Sequence, residues 1–182
     1  MRYVLSLLLV GPLLLVSGFT HAQVTKDVSD VTGVTRLESE SMRSLYDKTY
    51  AGNHASFRAE YVNDPDDGRS WALSFYGFTD DTTQVSRVNQ FIVQADGTRL
   101  EPIRLESKTR PLDKGLLEIK RAVFTRSGFE QIATAQTVTI SIGGAQFMAI
   151  HPRRKDLRLI LDRVPKGKGP QTASTNDSSS SQ

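Results

Sequence analysis

The densest group of oxygen ligands in the chain is Asp64-Pro65-Asp66-Asp67-Gly68, whose closely spaced carboxylates superficially resemble a calcium loop. An EF-hand loop needs oxygen donors at alternating positions and a bidentate glutamate near its end. Here Gly68 falls where the third donor should be, so the segment reads as a turn in which Asp bonds its own backbone and Gly accepts positive φ. Acid–base chemistry has few candidates. His54 follows Gly52-Asn53 in a loop setting where catalytic groups often sit, and His151 precedes Pro152. Neither has a partner at fixed spacing, and both read as exposed histidines. Serine-nucleophile motifs of the Gly-x-Ser-x-Gly type, phosphate loops and dinucleotide fingerprints do not occur. Cysteine is absent, which excludes thiol chemistry and cysteine-ligated metals. No cofactor or metal is expected.

Two further groups could bind rather than react. Between His151 and Lys168 the cations Arg153, Arg154, Lys155, Arg158, Arg163, Lys166 and Lys168 outnumber Asp156 and Asp162 by five. Arg153, Arg154, Lys155 and Arg158 are thus candidates for contact with an anionic surface, lipid or polysaccharide; a solvated helix face is the plainer reading. Trp71, Phe75, Tyr76 and Phe78 crowd one segment. Alternation puts Trp71 and Phe75 in a core and turns Tyr76 and Phe78 to the other face, where they pack or line a groove.

The elements that must position these residues are mostly strands. Ala55, Phe57, Ala59 and Tyr61 alternate with Ser56, Arg58 and Glu60, and Trp71, Leu73 and Phe75 continue after the turn, the period-two pattern of strands with one buried face. Asp96-Gly97 suits a type I′ hairpin between strands at 88–95 and 98–106, with a phase change at Pro102 that marks a bulge or an edge. Leu117, Ile119 and Val123 alternate in a further strand. The period then lengthens: Ser127-Gly128-Phe129-Glu130 has the form of a capping box, starting a short helix that ends near Ala135. Val138, Ile140 and Ile142 lead through Gly143-Gly144 into a second hairpin. A closing helix from Pro152 places Leu157, Ile160, Leu161 and Val164 on one stripe. Before these elements, a strand at 32–38 and a helical or irregular stretch holding Met42, Leu45, Tyr46 and Thr49 are expected. The sum is an α+β fold, a mainly antiparallel sheet with two short helices in the C-terminal half packed on it.

Residues 1–22 hold Arg2, an apolar run from Val4 to Val16 and the triplet Thr20-His21-Ala22. The run is short for a membrane span, and the pattern predicts a signal peptide cleaved before Gln23. Cleavage takes 23 basic side chains to 22 against 20 acidic, so a general polyanion-binding protein is not implied, and export disfavours nucleic acid as a partner. Residues 23–30 read as a polar N-terminal segment, 31–164 as one globular domain, and 165–182, rich in Ser, Gly and Pro, as a disordered tail.

The residues Asp30-Val31-Thr32-Gly33-Val34-Thr35-Arg36-Leu37-Glu38-Ser39, with Phe129 to Ala135, Val138 to Gly143 and Phe147, resemble uncharacterised exported bacterial proteins. The resemblance implies a bacterial envelope setting, periplasmic or secreted, and no activity. The expected function is a non-enzymatic binding or structural module whose partner is an envelope protein or anionic surface. The alternative is a small carboxylate-dependent hydrolase of envelope polymers, for which the sign would be convergent acids of raised pKa in a concave pocket.

Overall fold

The computed structural model describes residues 24–40, 42–43, 45–46, 54–81, 84–149 and 155–164. Residues 1–22, expected to be a signal peptide, residues 165–182, expected to be a disordered tail, and His151, Pro152, Arg153 and Arg154 lie outside the described residues. The strands are β1 (Val24–Val28), β2 (Thr35–Ser39), β3 (Met42–Arg43), β4 (Leu45–Tyr46), β5 (His54–Asp64), β6 (Gly68–Thr79), β7 (Ile92–Ala95), β8 (Thr98–Leu100), β9 (Arg104–Pro111), β10 (Leu116–Phe124), β11 (Val138–Ile142) and β12 (Ala145–Ala149). The helices are α1 (Gln84–Arg87), α2 (Arg126–Thr134) and α3 (Lys155–Arg163). The fold is α+β and mainly antiparallel, as the alternation predicts, but the strands form two sheets. The larger has the order β1-β2-β5-β6-β10-β9 with β3 beside β5, and the smaller β4-β12-β11-β7-β8.

The sheets meet through aromatic rings. Phe57 on β5 and Phe75 on β6 are directly opposite each other, and both reach Phe147 of the smaller sheet at centroid distances of 5.5 and 5.3 Å. Odd-numbered residues of β5 and β6 therefore form the inner face. Around these rings Val93, Ile140, Ile142 and Leu73 are buried. Phe129, Ile132 and Ala133 of α2, and Leu157 and Ile160 of α3, are buried in the same core. The other face of the larger sheet carries the alternate, mostly polar residues.

Several local expectations are met and others are corrected. Asp96 and Gly97 have φ of 47° and 81°, the doubly positive pair of a type I′ turn. The Asp96 carboxylate also accepts hydrogen bonds from the amides of Gln136 and Thr137, 2.9 and 2.8 Å away, so the hairpin turn anchors the chain leaving α2. The phase change at Pro102 is more than a bulge: β8 ends at Leu100 in the smaller sheet, and β9 begins at Arg104 on the edge of the larger one. Strand β7 begins at Ile92, later than expected. The cap of α2 is Thr125, whose hydroxyl accepts from the Gly128 amide at 3.1 Å; Ser127 lies inside the helix and Glu130 pairs with Arg126 one turn back. Either hydroxyl suits the role, and the helix takes the earlier.

The ordered sheet also begins before the expected boundary at 31. Polar as 24–28 is, all five of its residues pair with β2, and Val24 is buried. Met42, Arg43, Leu45 and Tyr46 form short strands instead of helix or irregular chain, β3 against β5 and β4 against β12, while Thr49 lies outside the described residues. Two pairs of residues, each joined to a different sheet, leave no length over which helical periodicity could develop. On β10 the apolar trio Leu117, Ile119 and Val123 faces outward, while the inner face carries Glu118, Lys120, Ala122 and Phe124. Lys120 tolerates that position because its ammonium donates to the Val88 carbonyl and the Ser107 hydroxyl, both at 2.7 Å. Burial lowers its pKa, opposed by the Glu118 carboxylate.

Candidate binding site

The outer face of the larger sheet is built by register. Glu38, Glu60, Ala72, Val123 and Arg104 lie opposite one another across β2, β5, β6, β10 and β9, and Arg58, Ser74, Arg121 and Glu106 form the adjacent row. Two glutamates directly opposite would repel. The next row resolves this, because each acid reaches diagonally to an arginine. Arg58 meets Glu38 at 2.7 Å, Arg121 meets Glu60 at 3.0 Å and Glu106 at 3.4 Å, and Arg104 meets Glu106 at 2.9 Å.

The centre of this network is desolvated. The Arg121 and Glu60 side chains keep only 17% and 9% of their exposure, and Ser74 donates to the second Glu60 oxygen at 2.5 Å. A pair so buried needs further hydrogen bonds to offset its desolvation, and here Ser74 donates to Glu60 while Arg121 extends to Glu106 at 3.4 Å and Ser70 at 3.5 Å. Arg58 also lies over the Tyr76 ring, 5.0 Å from its centroid. Burial pushes the Tyr76 phenol up, with the Glu60 and Glu38 carboxylates adding to the shift, so it stays protonated at neutral pH. These long side chains cover the small ones: Ala72 and Ser74 on this outward face are fully buried.

Beside the network is an open groove of about 410 Å³. Val62 and Ile119 provide its apolar floor, Arg36, Arg104 and Tyr76 its donors, and Asp64 and Asp67 its acidic rim at the β5–β6 turn. Arg36 has no ion-pair partner among the described residues. Tyr76 is the residue that alternation turned outward as a possible groove lining; the paired charges around it gave no sequence signal, since Glu60 and Arg121 are 61 positions apart.

The other candidates fall elsewhere. In the calcium-like segment the Asp64 carboxylate accepts from the amides of Asp66 and Asp67 at 2.9 and 3.3 Å, closing the β5–β6 hairpin. Among the described residues no group of His, Asp and Glu is arranged to hold a metal. His54 is exposed at the start of β5 with its ring 6.1 Å from Phe78. Of the basic cluster, Lys155 is exposed at the start of α3. Arg158 is half-buried and donates through Nε to the Ala133 carbonyl at 3.0 Å, tying α3 to the end of α2. It is therefore a docking residue rather than part of a wholly solvated face. No helix among the described residues is long and apolar enough to cross a membrane.

One carboxyl is perturbed. Burial pushes Asp156, near the start of α3, from 3.8 up to about 6, with Glu40 adding to the shift and hydrogen bonds from its own amide and Ser39 opposing it. Below about pH 4 the group is protonated whether the chain is folded or not. Between about pH 4 and 6 the unfolded chain releases the proton that the folded chain keeps, and stability falls; above about pH 6 the penalty is complete. Asp156→Asn should thus stabilise the protein at about pH 7 by on the order of 1–3 kcal/mol and have little effect below about pH 4. Urea denaturation at the two pH values measures this, and an equal effect at both would contradict it.

No family model matches the chain, and neither a curated protein nor a solved structure matches it. A functional reading rests on this geometry.

Proposed function

We propose that the chain is an exported, non-enzymatic binding module of a bacterial envelope or secreted setting, and that it takes a protein partner on the outer groove of its larger sheet. The observation that carries this reading is the buried Arg121–Glu60 pair, bonded on to Ser74 and Glu106, which holds a mixed-charge face rigidly beside an open groove. Pre-ordered side chains lose little freedom on binding. Alternating charges suit a protein surface of both signs better than a uniformly anionic one, because like charges brought together are costly.

A carboxylate-dependent hydrolase of envelope polymers is a second reading, favoured by the raised pKa of Asp156 beside Glu40. Against it, Asp156 is buried where α3 packs on the sheet and does not line the outer groove. Both glutamates of the groove are engaged by Arg121 instead of facing a substrate.

The test is capture from native envelope extract by immobilised protein. Arg36→Glu with Arg104→Glu reverses two rim charges and should abolish retention of the captured protein. Gln94→Glu with Met148→Ala, on the exposed face of the smaller sheet, should retain it. Full capture by the charge-reversed variant, or loss in both, would defeat the proposal.

A further inference from the structure

The opposite face of the same sheet holds a second cavity, of about 560 Å³, where β1, β2, β5 and β6 run past the last turn of α3. Register places its lining: Lys26 opposite Leu37 and Leu37 opposite Tyr61 form one row, and Thr35, Asn63 and Arg69 the next. Arg163 and Val164 close it from the helix side. Leu37, Tyr61 and Val164 are buried and give an apolar floor, while Thr35 and Asn63 add neutral polar groups.

The charge of this cavity differs in kind from that of the outer groove. Lys26, Arg69 and Arg163 line it, and no Asp or Glu does. Five arginines elsewhere, Arg58, Arg99, Arg104, Arg121 and Arg126, each have a glutamate within 3.0 Å. Among the described residues Lys26 and Arg69 have no ion-pair partner. Arg163 donates from Nη1 to the Val24 carbonyl at 2.6 Å, which fixes the guanidinium at the cavity and leaves its other N–H donors for a ligand. Burial also pushes the Tyr61 phenol up, so it remains a neutral hydroxyl at physiological pH. With no acid among them, these exposed cations give the hollow a positive field that favours an anion.

We propose that this cavity binds a phosphorylated small polyol, its phosphate among Lys26, Arg69 and Arg163 and its carbon skeleton against Leu37 and Val164. A phosphate monoester carries close to two charges and accepts from guanidinium forks, so it matches three cations better than a single carboxylate does. The volume lies in the range of small-molecule sites. The phosphate could belong to a soluble sugar phosphate or to a lipid headgroup. This site is independent of the outer groove.

Titration of the whole chain with glycerol 3-phosphate at low salt, followed by amide shifts, tests it. Leu37, Asn63 and Arg69 should move saturably, glycerol should not move them, and Lys26→Gln with Arg69→Gln should weaken binding by at least about tenfold at unchanged melting temperature. Lys108→Gln with Arg110→Gln, removing two cations from exposed β9, should leave the affinity as it is. If the first double variant loses its folded spectrum, Lys26→Gln alone carries the comparison. Vesicles containing phosphatidic acid, whose headgroup is a phosphate monoester, set against phosphatidylcholine alone, form the second arm. Adsorption abolished by the Lys26/Arg69 variant identifies a lipid headgroup, and response to glycerol 3-phosphate alone a soluble ligand. No saturable response in either arm, or equal weakening by the β9 variant, would overturn the site.

Discussion

Replacing Phe57 with alanine should lower the unfolding free energy by about 3–5 kcal/mol, the cost of lost transfer energy together with the cavity left behind. Phe57 is fully buried and lies where the two sheets meet. Its ring makes edge contacts with Phe75 at 5.5 Å, Phe91 at 6.4 Å and Phe147 at 5.5 Å, so three partners lose a neighbour at once. It sits on β5, the strand that pairs with β2, β3 and β6. A domain of this size has about 5–15 kcal/mol in all, and the variant should be partly unfolded near physiological temperature. Met148→Ala, at the half-exposed surface of the smaller sheet, should change stability by no more than about 0.5 kcal/mol. Urea denaturation of the full chain compares them, and similar losses for the two would contradict this packing.

Truncating Leu157 to alanine should cost about 2–5 kcal/mol, and the same change at Leu161 distinctly less. The sequence stripe treats Leu157, Ile160, Leu161 and Val164 alike. In the fold Leu157, Ile160 and Val164 are buried while Leu161 is only half-buried at the edge of the core. The cause is how α3 is held: Arg158 is tied to the Ala133 carbonyl and Arg163 to the Val24 carbonyl, and Asp156 is turned into the packed side. Those anchors rotate the helix so that its buried line runs through 157, 160 and 164. A loss at Leu161→Ala equal to that at Leu157→Ala would show that the helix sits in another rotation.

What was legible in the sequence was local. Asp96-Gly97 and Gly143-Gly144 specify their turns by chemistry, and the alternation from Ala55 to Phe75 reports burial because opposite faces of one strand meet different surroundings. Membership of a sheet is not local. The 88–106 region reads as a hairpin with a fault at Pro102, whereas the chain leaves one sheet there and enters the other. Strand β1 leaves no alternation to read, because an edge strand is held by backbone pairing, with Val24 its one buried side chain. The same limit applies to the candidate site. Tyr76 could be turned outward by counting, but Arg121 becomes informative only once β10 is seen between β6 and β9, with Glu60 and Glu106 within its reach.

Shift mapping of the isotopically labelled chain with its captured partner tests the binding reading most directly. The Nε–Hε signals of Arg36, Arg104 and Arg121 and the ring of Tyr76 should move together, while the side-chain amides of Gln94 and Gln146 on the exposed face of the smaller sheet stay in place. Perturbation centred on Gln94, Gln146 and Met148, with the Arg121 signal unmoved, would contradict it.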